Sequence, residues 1–171
     1  MSAIPRGAAC LAVLVALAAP ARAHVTLEVA QAPANSTYKA VLRVPHGCDG
    51  AATIRITVQL PPGVTAAQPM PKPGWRLTTT PREGAPPPAG HGAVPELAAI
   101  TWEGGPLDAA HYDEFVVRLR LPDRPGELLH LPVLQDCEGG RSVAWTQIPD
   151  PARRPTEYPT PAAALRLLPR P

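Results

Sequence analysis

The chain has 171 residues, with 16 Lys+Arg against 14 Asp+Glu and 25 prolines. That length suits one domain with a real core. The near balance of charge offers no basic patch of the kind nucleic acid requires, and so much proline leaves few stretches able to form helix.

Residues 1–23 read as an export signal. Arg6 is a short basic region, residues 11–19 (LAVLVALAA) are an apolar run, Pro20 ends it, and Ala21-Arg22-Ala23 is a small-residue cleavage site. The run is too short for a stable membrane anchor, no second apolar run follows, and Cys10 precedes the run rather than the cleavage site. The expected organisation is a signal over 1–23 and one domain over 24–171. The signal holds Arg6 and Arg22 and no acid, so its removal leaves 14 Lys+Arg against 14 Asp+Glu. An exported chain of this kind belongs in the periplasm or outside the cell.

Residues 24–29 (HVTLEV) alternate and predict a first strand, with His24, Thr26 and Glu28 on one face and Val25, Leu27 and Val29 on the other. Residues 32–36 are a turn. Residues 37–44 (TYKAVLRV) predict a second strand stopped by Pro45, and 46–50 (HGCDG) a loop. Residues 53–60 (TIRITVQL) alternate strictly as a third strand, closed by Pro61-Pro62-Gly63. Proline and glycine interrupt residues 64–75 around Met70, and Trp75 opens a short strand through Thr80. Residues 81–92 predict a mobile surface loop. Strands follow over 97–103 with Trp102, 112–121, and 142–148 with Trp145, and residues 127–134 lead into the second cysteine. Residues 149–161 are polar and proline-rich, and 162–168 fit a last strand or a short helix. About eight strands predict an all-β fold, an antiparallel sandwich of immunoglobulin or cupredoxin type.

Two cysteines remain after the signal, Cys48 and Cys137. In an exported domain the pair favours a disulfide over a thiolate metal pair. Closing a ring of that size stabilises by roughly 4 kcal/mol in the chain-entropy account.

The chemistry gathers at the start of the mature chain. A terminal His24 offers its α-amine and its imidazole Nδ1, which together close a chelate ring on one metal ion. If strands one and two pair as a hairpin, His24 lies beside Pro45-His46-Gly47-Cys48-Asp49. His46 and Asp49 are then the first candidates to complete a site. The disulfide would bring Asp136 and Glu138 to the same end, with Trp145 in reach. An amine of pKa about 7.7–8.0 gives up its proton to a divalent metal near neutral pH. Copper(II) binds such N/O sets most tightly of the common divalent first-row ions and favours tetragonal geometry. The CxxC and HExxH spacings of zinc are absent.

Each of these residues also has a plainer role. A histidine after a cleavage site can be unemployed, and His46 before Gly47 can be a solvated loop residue. His91, His111 and His130 read as bland, Met70 alone is no copper(I) motif, and Trp75, Trp102 and Trp145 suit the core. Adjacent Asp113 and Glu114 would face opposite ways on a strand, and neither a GxSxG elbow nor a phosphate-cradling glycine loop is present.

Taken in order, several short motifs form a pattern. They are His24-Val25-Thr26 after the signal, the strand from Tyr38 to Val44-Pro45, Pro73-Gly74-Trp75, Thr101-Trp102-Glu103, Tyr112-Asp113-Glu114-Phe115, and Val143-Ala144-Trp145-Thr146. In these motifs the chain resembles the YcnI-like family of exported copper-binding domains, over nearly all of its mature length. The resemblance implies an immunoglobulin-like sandwich that binds one copper(II). In it the N-terminal histidine gives amine and imidazole as a single-histidine brace, a carboxylate completes the site, and a tryptophan packs close. His24 matches the histidine and Trp145 the tryptophan. Many relatives place a glutamate just after the Val-Pro that ends strand two; here that stretch is His46-Gly47-Cys48-Asp49. Asp49 can substitute after a register shift, His46 can supply nitrogen, or the third ligand comes from elsewhere. Many relatives also carry a C-terminal membrane helix; residues 24–171 are expected to contain none.

The expected function is therefore binding of copper(II) without turnover, in acquisition, delivery or buffering. Its expected partners are the ion itself and a copper chaperone or membrane copper transporter. Two rivals remain. A copper-dependent polysaccharide monooxygenase would share His24 and use His46 as a second histidine, but the chain holds only three Trp, three Tyr and one Phe to build a flat aromatic face. A metal-free interaction module would share only the sandwich.

Overall fold

A computed structural model of the chain describes residues 24–87, 94–150 and 152–170. The expected signal over 1–23 and His91 lie outside the described residues. Twelve strands run in chain order: β1 (Thr26–Leu27), β2 (Gln31–Pro33), β3 (Thr37–Val44), β4 (Thr53–Gln59), β5 (Thr65–Pro69), β6 (Trp75–Pro81), β7 (Leu97–Leu107), β8 (Asp113–Arg120), β9 (Leu128–Leu131), β10 (Val133–Cys137), β11 (Ser142–Trp145) and β12 (Ala163–Leu168). They form a four-stranded sheet β1-β3-β8-β5, a five-stranded sheet β11-β10-β4-β7-β6, and a three-stranded sheet β2-β12-β9. Neighbours are antiparallel except β2 and β12. This is the all-β sandwich expected from the sequence, with no α-helix among the described residues.

The core follows from alternation. Tyr38, Ala40, Leu42 and Val44 of β3, with Phe115, Val117 and Leu119 of β8, point inward from one sheet. Ile56, Val58, Ile100 and Trp102 answer from the other, in one continuous cluster. Phe115 is its hub: Trp75 and Trp102 meet it edge-on at 5.1 and 5.5 Å, the geometry aromatic quadrupoles favour.

Several sequence expectations change in detail. The first strand is short, because the chain bends after Leu27 and β2 crosses to the third sheet. β1 and β3 therefore pair antiparallel without being a simple hairpin, and Val29 ends up 53% exposed. The strict alternation expected over 53–60 breaks at a bulge between Thr53 and Arg55, which turns Thr53 inward and leaves Ile54 37% exposed. A one-residue register change reverses which face a side chain takes. β5 forms within a stretch read as interrupted, since it is a sheet edge, where proline is tolerated. The stretch leading into Cys137 forms two strands, β9 and β10, on either side of Pro132. Residues 163–168 are a strand. The base of the loop expected over 81–92 is clamped: Arg82 pairs with Glu96 at 2.5 Å and donates to the Leu60 carbonyl at 2.7 Å.

Candidate metal centre

His24 directly precedes β1, and the register Thr26↔Arg43, Leu27↔Leu42 runs it toward the end of β3. Val25 and Leu27 are buried and fix the segment to the core. The amide of Glu28 donates to the Val41 carbonyl at 2.9 Å and closes the pairing. β3 ends at Val44, Pro45 cannot extend it, and the loop with His46 begins beside His24.

That loop is tightly built. Gly47 has no room for a side chain, since a Cβ there would stand 1.9 Å from the Ala51 carbonyl oxygen. Cys48 and Ala51 exchange backbone hydrogen bonds at 3.0 and 2.9 Å across Asp49 and Gly50. Asp49 (φ 46°) and Gly50 (φ 81°) both hold positive φ, the signature of the Asp-Gly turn that joins tight hairpins. The turn sets Asp49 at an exposed tip. Cys48 is disulfide-bonded to Cys137, with Cα atoms 6.0 Å apart, so the pair is not a thiolate metal site. The bond ties the loop to the end of β10. From there a short turn over Glu138–Gly140 leads into β11 and Trp145.

The result is a pocket of about 240 Å³ lined by His24, His46, Asp49, Trp145, Pro159 and Thr160, among others. Trp145 is 4% exposed and forms its wall. The His24 and His46 rings meet it edge-on, with centroids 5.8 and 6.4 Å away. His46 Nδ1 contacts the Gly47 carbonyl at 2.5 Å. A carbonyl only accepts, so Nδ1 carries the proton in that contact. His24 Nε2 is buried without a hydrogen-bond partner.

The other sequence candidates fall elsewhere. Asp136 is engaged by Arg55 at 3.1 Å, and Glu138 is exposed beyond the disulfide. Asp49 is the carboxylate among the pocket's lining residues. Met70 is 52% exposed on another face, and His111 is exposed. His130 lines a separate cavity, where burial holds its pKa below the usual histidine value.

Sequence reasoning missed Gln135. It is wholly buried, and its side-chain amide donates to the His46 carbonyl at 2.7 Å and to the Thr53 hydroxyl at 2.8 Å. Its oxygen accepts from the Trp145 indole at 2.9 Å. One side chain thus ties the loop, the bulge and the tryptophan wall together. Its position two residues before Cys137, in step with the inward Val133, was the available signal. Pro159 and Thr160 were also missed. They reach the pocket because Gln147 binds their segment, donating its amide to the Thr160 carbonyl at 3.1 Å and accepting the Thr160 amide on its side-chain oxygen at 2.9 Å.

Among the described residues no three His, Cys, Asp or Glu side chains converge tightly enough to hold a metal by themselves. A site here needs a donor that is not a side chain. The backbone nitrogen of His24 is a delocalised amide in the intact chain and becomes a donor amine only when the chain is cut before it. With it, His24 alone offers an amine and an imidazole, and the pocket lining adds an imidazole and a carboxylate, donor types that copper(II) takes although the three side chains do not close on one point here. The unpartnered buried His24 Nε2 is the ring nitrogen that such a chelate does not use.

Residues 24–167 match a family described as a domain of unknown function, DUF1775. The copper-binding protein CutI of Bacillus subtilis (strain 168) is 25% identical over 130 residues, which is 75% of this chain. The chain spans 57% of the length of that relative. A crystal structure of an uncharacterized protein from Nocardia farcinica with an immunoglobulin-like fold is 30% identical, with a TM-score of 0.68, covering 85% of this chain and 98% of that one.

Proposed function

The chain belongs to the DUF1775 family, and from its site we propose that it is an exported copper(II)-binding protein whose mature form begins at His24. The α-amine and Nδ1 of His24 form a single-histidine brace. His46, through Nε2, completes the nitrogen set, Asp49 adds an oxygen, and Trp145 walls the site from the core. The observation that carries this reading is that His24, His46, Asp49 and Trp145 line one small pocket at the predicted mature terminus. CutI, a copper-binding protein in name, supports the choice of metal.

Copper is cargo in this reading, and the protein moves or buffers it in the periplasm or outside the cell. The site lies at a chain terminus and has exposed Asp49 at its rim, which suits handing the ion to a copper chaperone or membrane transporter. The test compares protein beginning at His24 with protein carrying one extra N-terminal residue, by competition titration against a copper(II) chelator. The first binds one equivalent, and the second at least about a hundredfold more weakly because its amine is acylated. Equal affinities would sink the proposal.

A further inference from the structure

The four-stranded sheet has an outer face that the metal pocket does not use. Thr37 and Lys39 open β3, whereas His46 lies two residues beyond its end at Val44, so the two regions lie at opposite ends of that strand. A cavity of about 510 Å³ sits there, lined by Thr37, Lys39, Gln68, Met70, Val116 and Arg118. Its volume is in the range of small-molecule sites, and an apolar lining with a few fixed polar groups is how such sites are built.

The charges there are unusual for this molecule. Register places Lys39 directly opposite Arg118 and Thr37 opposite Arg120. Like charges directly opposed on neighbouring strands destabilise a sheet. Lys39 has no hydrogen-bond or ion-pair partner among the described residues. Arg118 donates to the Gln68 amide oxygen at 2.7 Å, and Arg120 to the Asn35 side-chain oxygen at 2.7 Å; neither meets a carboxylate. Most other cations find acids, as Arg43 does Glu28, Lys72 does Asp113 and Arg55 does Asp136, while Arg141 and Arg166 stand singly without one. A chain with nearly equal numbers of acids and bases has left three adjacent cations unneutralised beside a cavity. Behind them the cavity is lined by Val116 and by Met70, 52% exposed. The backbone presenting Met70 is fixed, because its amide donates to the Val116 carbonyl at 2.9 Å and its carbonyl accepts from the Trp102 indole at 3.0 Å.

We propose that this cavity binds an amphiphilic anion, its carboxylate or phosphate head between Lys39 and Arg118 and its apolar body over Val116 and Met70. The head removes the repulsion between the two cations, and the body covers the exposed thioether and valine. The site is separate from the copper pocket and does not depend on it.

The experiment titrates the metal-free protein with octanoate, octyl phosphate, octyl glucoside and inorganic phosphate, followed by amide chemical shifts and calorimetry. Octanoate or octyl phosphate moves the resonances of Lys39, Met70, Val116 and Arg118, and the tighter of the two identifies the preferred head. Octyl glucoside and inorganic phosphate each bind at least about tenfold more weakly, since each lacks half of the recognition. The double variant K39Q/R118Q loses the anion by a similar factor while its thermal midpoint stays or rises. Equal binding of octyl glucoside and octanoate, unchanged affinity in the folded double variant, or no shift with either anionic amphiphile overturns the proposal. Copper titration of the same samples reads the other site independently.

Discussion

The indole nitrogen of Trp145 donates to the side-chain oxygen of Gln135 at 2.9 Å, inside the core and behind the pocket. Gln135 turns its other end to His46 and Thr53. Replacing it by leucine leaves an indole N–H and a carbonyl without their partner, at about 1–3 kcal/mol for each group that water cannot reach, while the Thr53 hydroxyl keeps Cys137 Sγ at 3.7 Å. Gln135→Leu should therefore lower unfolding free energy by about 2–4 kcal/mol in urea denaturation. It should also weaken copper(II), because both the His46 loop and the Trp145 wall lose their tether. Gln135→Glu keeps an acceptor for Trp145 and loses the donor to His46. An affinity unchanged in both folded variants would show that Gln135 supports the fold alone.

How much of this could be read beforehand depended on whether one strand or several decided a position. β3 runs over Thr37–Val44 as the sequence indicates, because an alternating β-branched run ending in Pro45 carries its own boundaries. The approach of His24 to His46 also followed from strand direction, although the bend after Leu27 and the crossing of β2 did not. Thr53 and Ile54 changed faces because a bulge depends on the partner strands β7 and β10, which no local pattern records. Gln135 was invisible as a site residue for the same reason. Its three partners come from β4, β11 and the loop after β3, and only the assembled sheet brings them together. Asp49 shows the opposite case, since Asp-Gly is a turn signal in the sequence itself, and the turn explains its placement without a ligand.

Tyr38 gives the fold a pH limit on the alkaline side. Its hydroxyl donates to the Val29 carbonyl at 2.5 Å, and burial first, with the nearby Glu28 second, pushes its pKa up to about 12 from the model-peptide value of 10.0. The folded state thus holds this proton more tightly than the unfolded state does. Its stabilisation is complete below pH 10 and is lost as pH rises through about 12. Unfolding free energy should decline over that interval in the wild type. Tyr38→Phe should be less stable at pH 7 by about 1 kcal/mol through loss of the hydrogen bond, and its decline over the interval should be shallower. Parallel curves for the two proteins in urea titrations at each pH would contradict this.

The contributions of His46 and Asp49 can be separated by substitutions that respect the loop. Asn tolerates the positive φ of position 49, so Asp49→Asn keeps the turn and removes only the negative charge. His46 is half-buried, and its backbone is held by Gln135, whereas Asp49 sits exposed on the turn. A held donor loses less freedom on binding than an exposed one. His46→Ala should therefore weaken copper(II) more than Asp49→Asn, by about a hundredfold against about tenfold, measured by chelator competition in protein beginning at His24. Both variants should retain the tight pH dependence of the amine, with affinity falling as pH drops below about 8. If Asp49→Asn costs more than His46→Ala, the carboxylate is the principal further ligand and the imidazole is a bystander. If neither variant changes affinity, the third ligand is not in the loop, and the side chains lining the pocket do not describe the copper site.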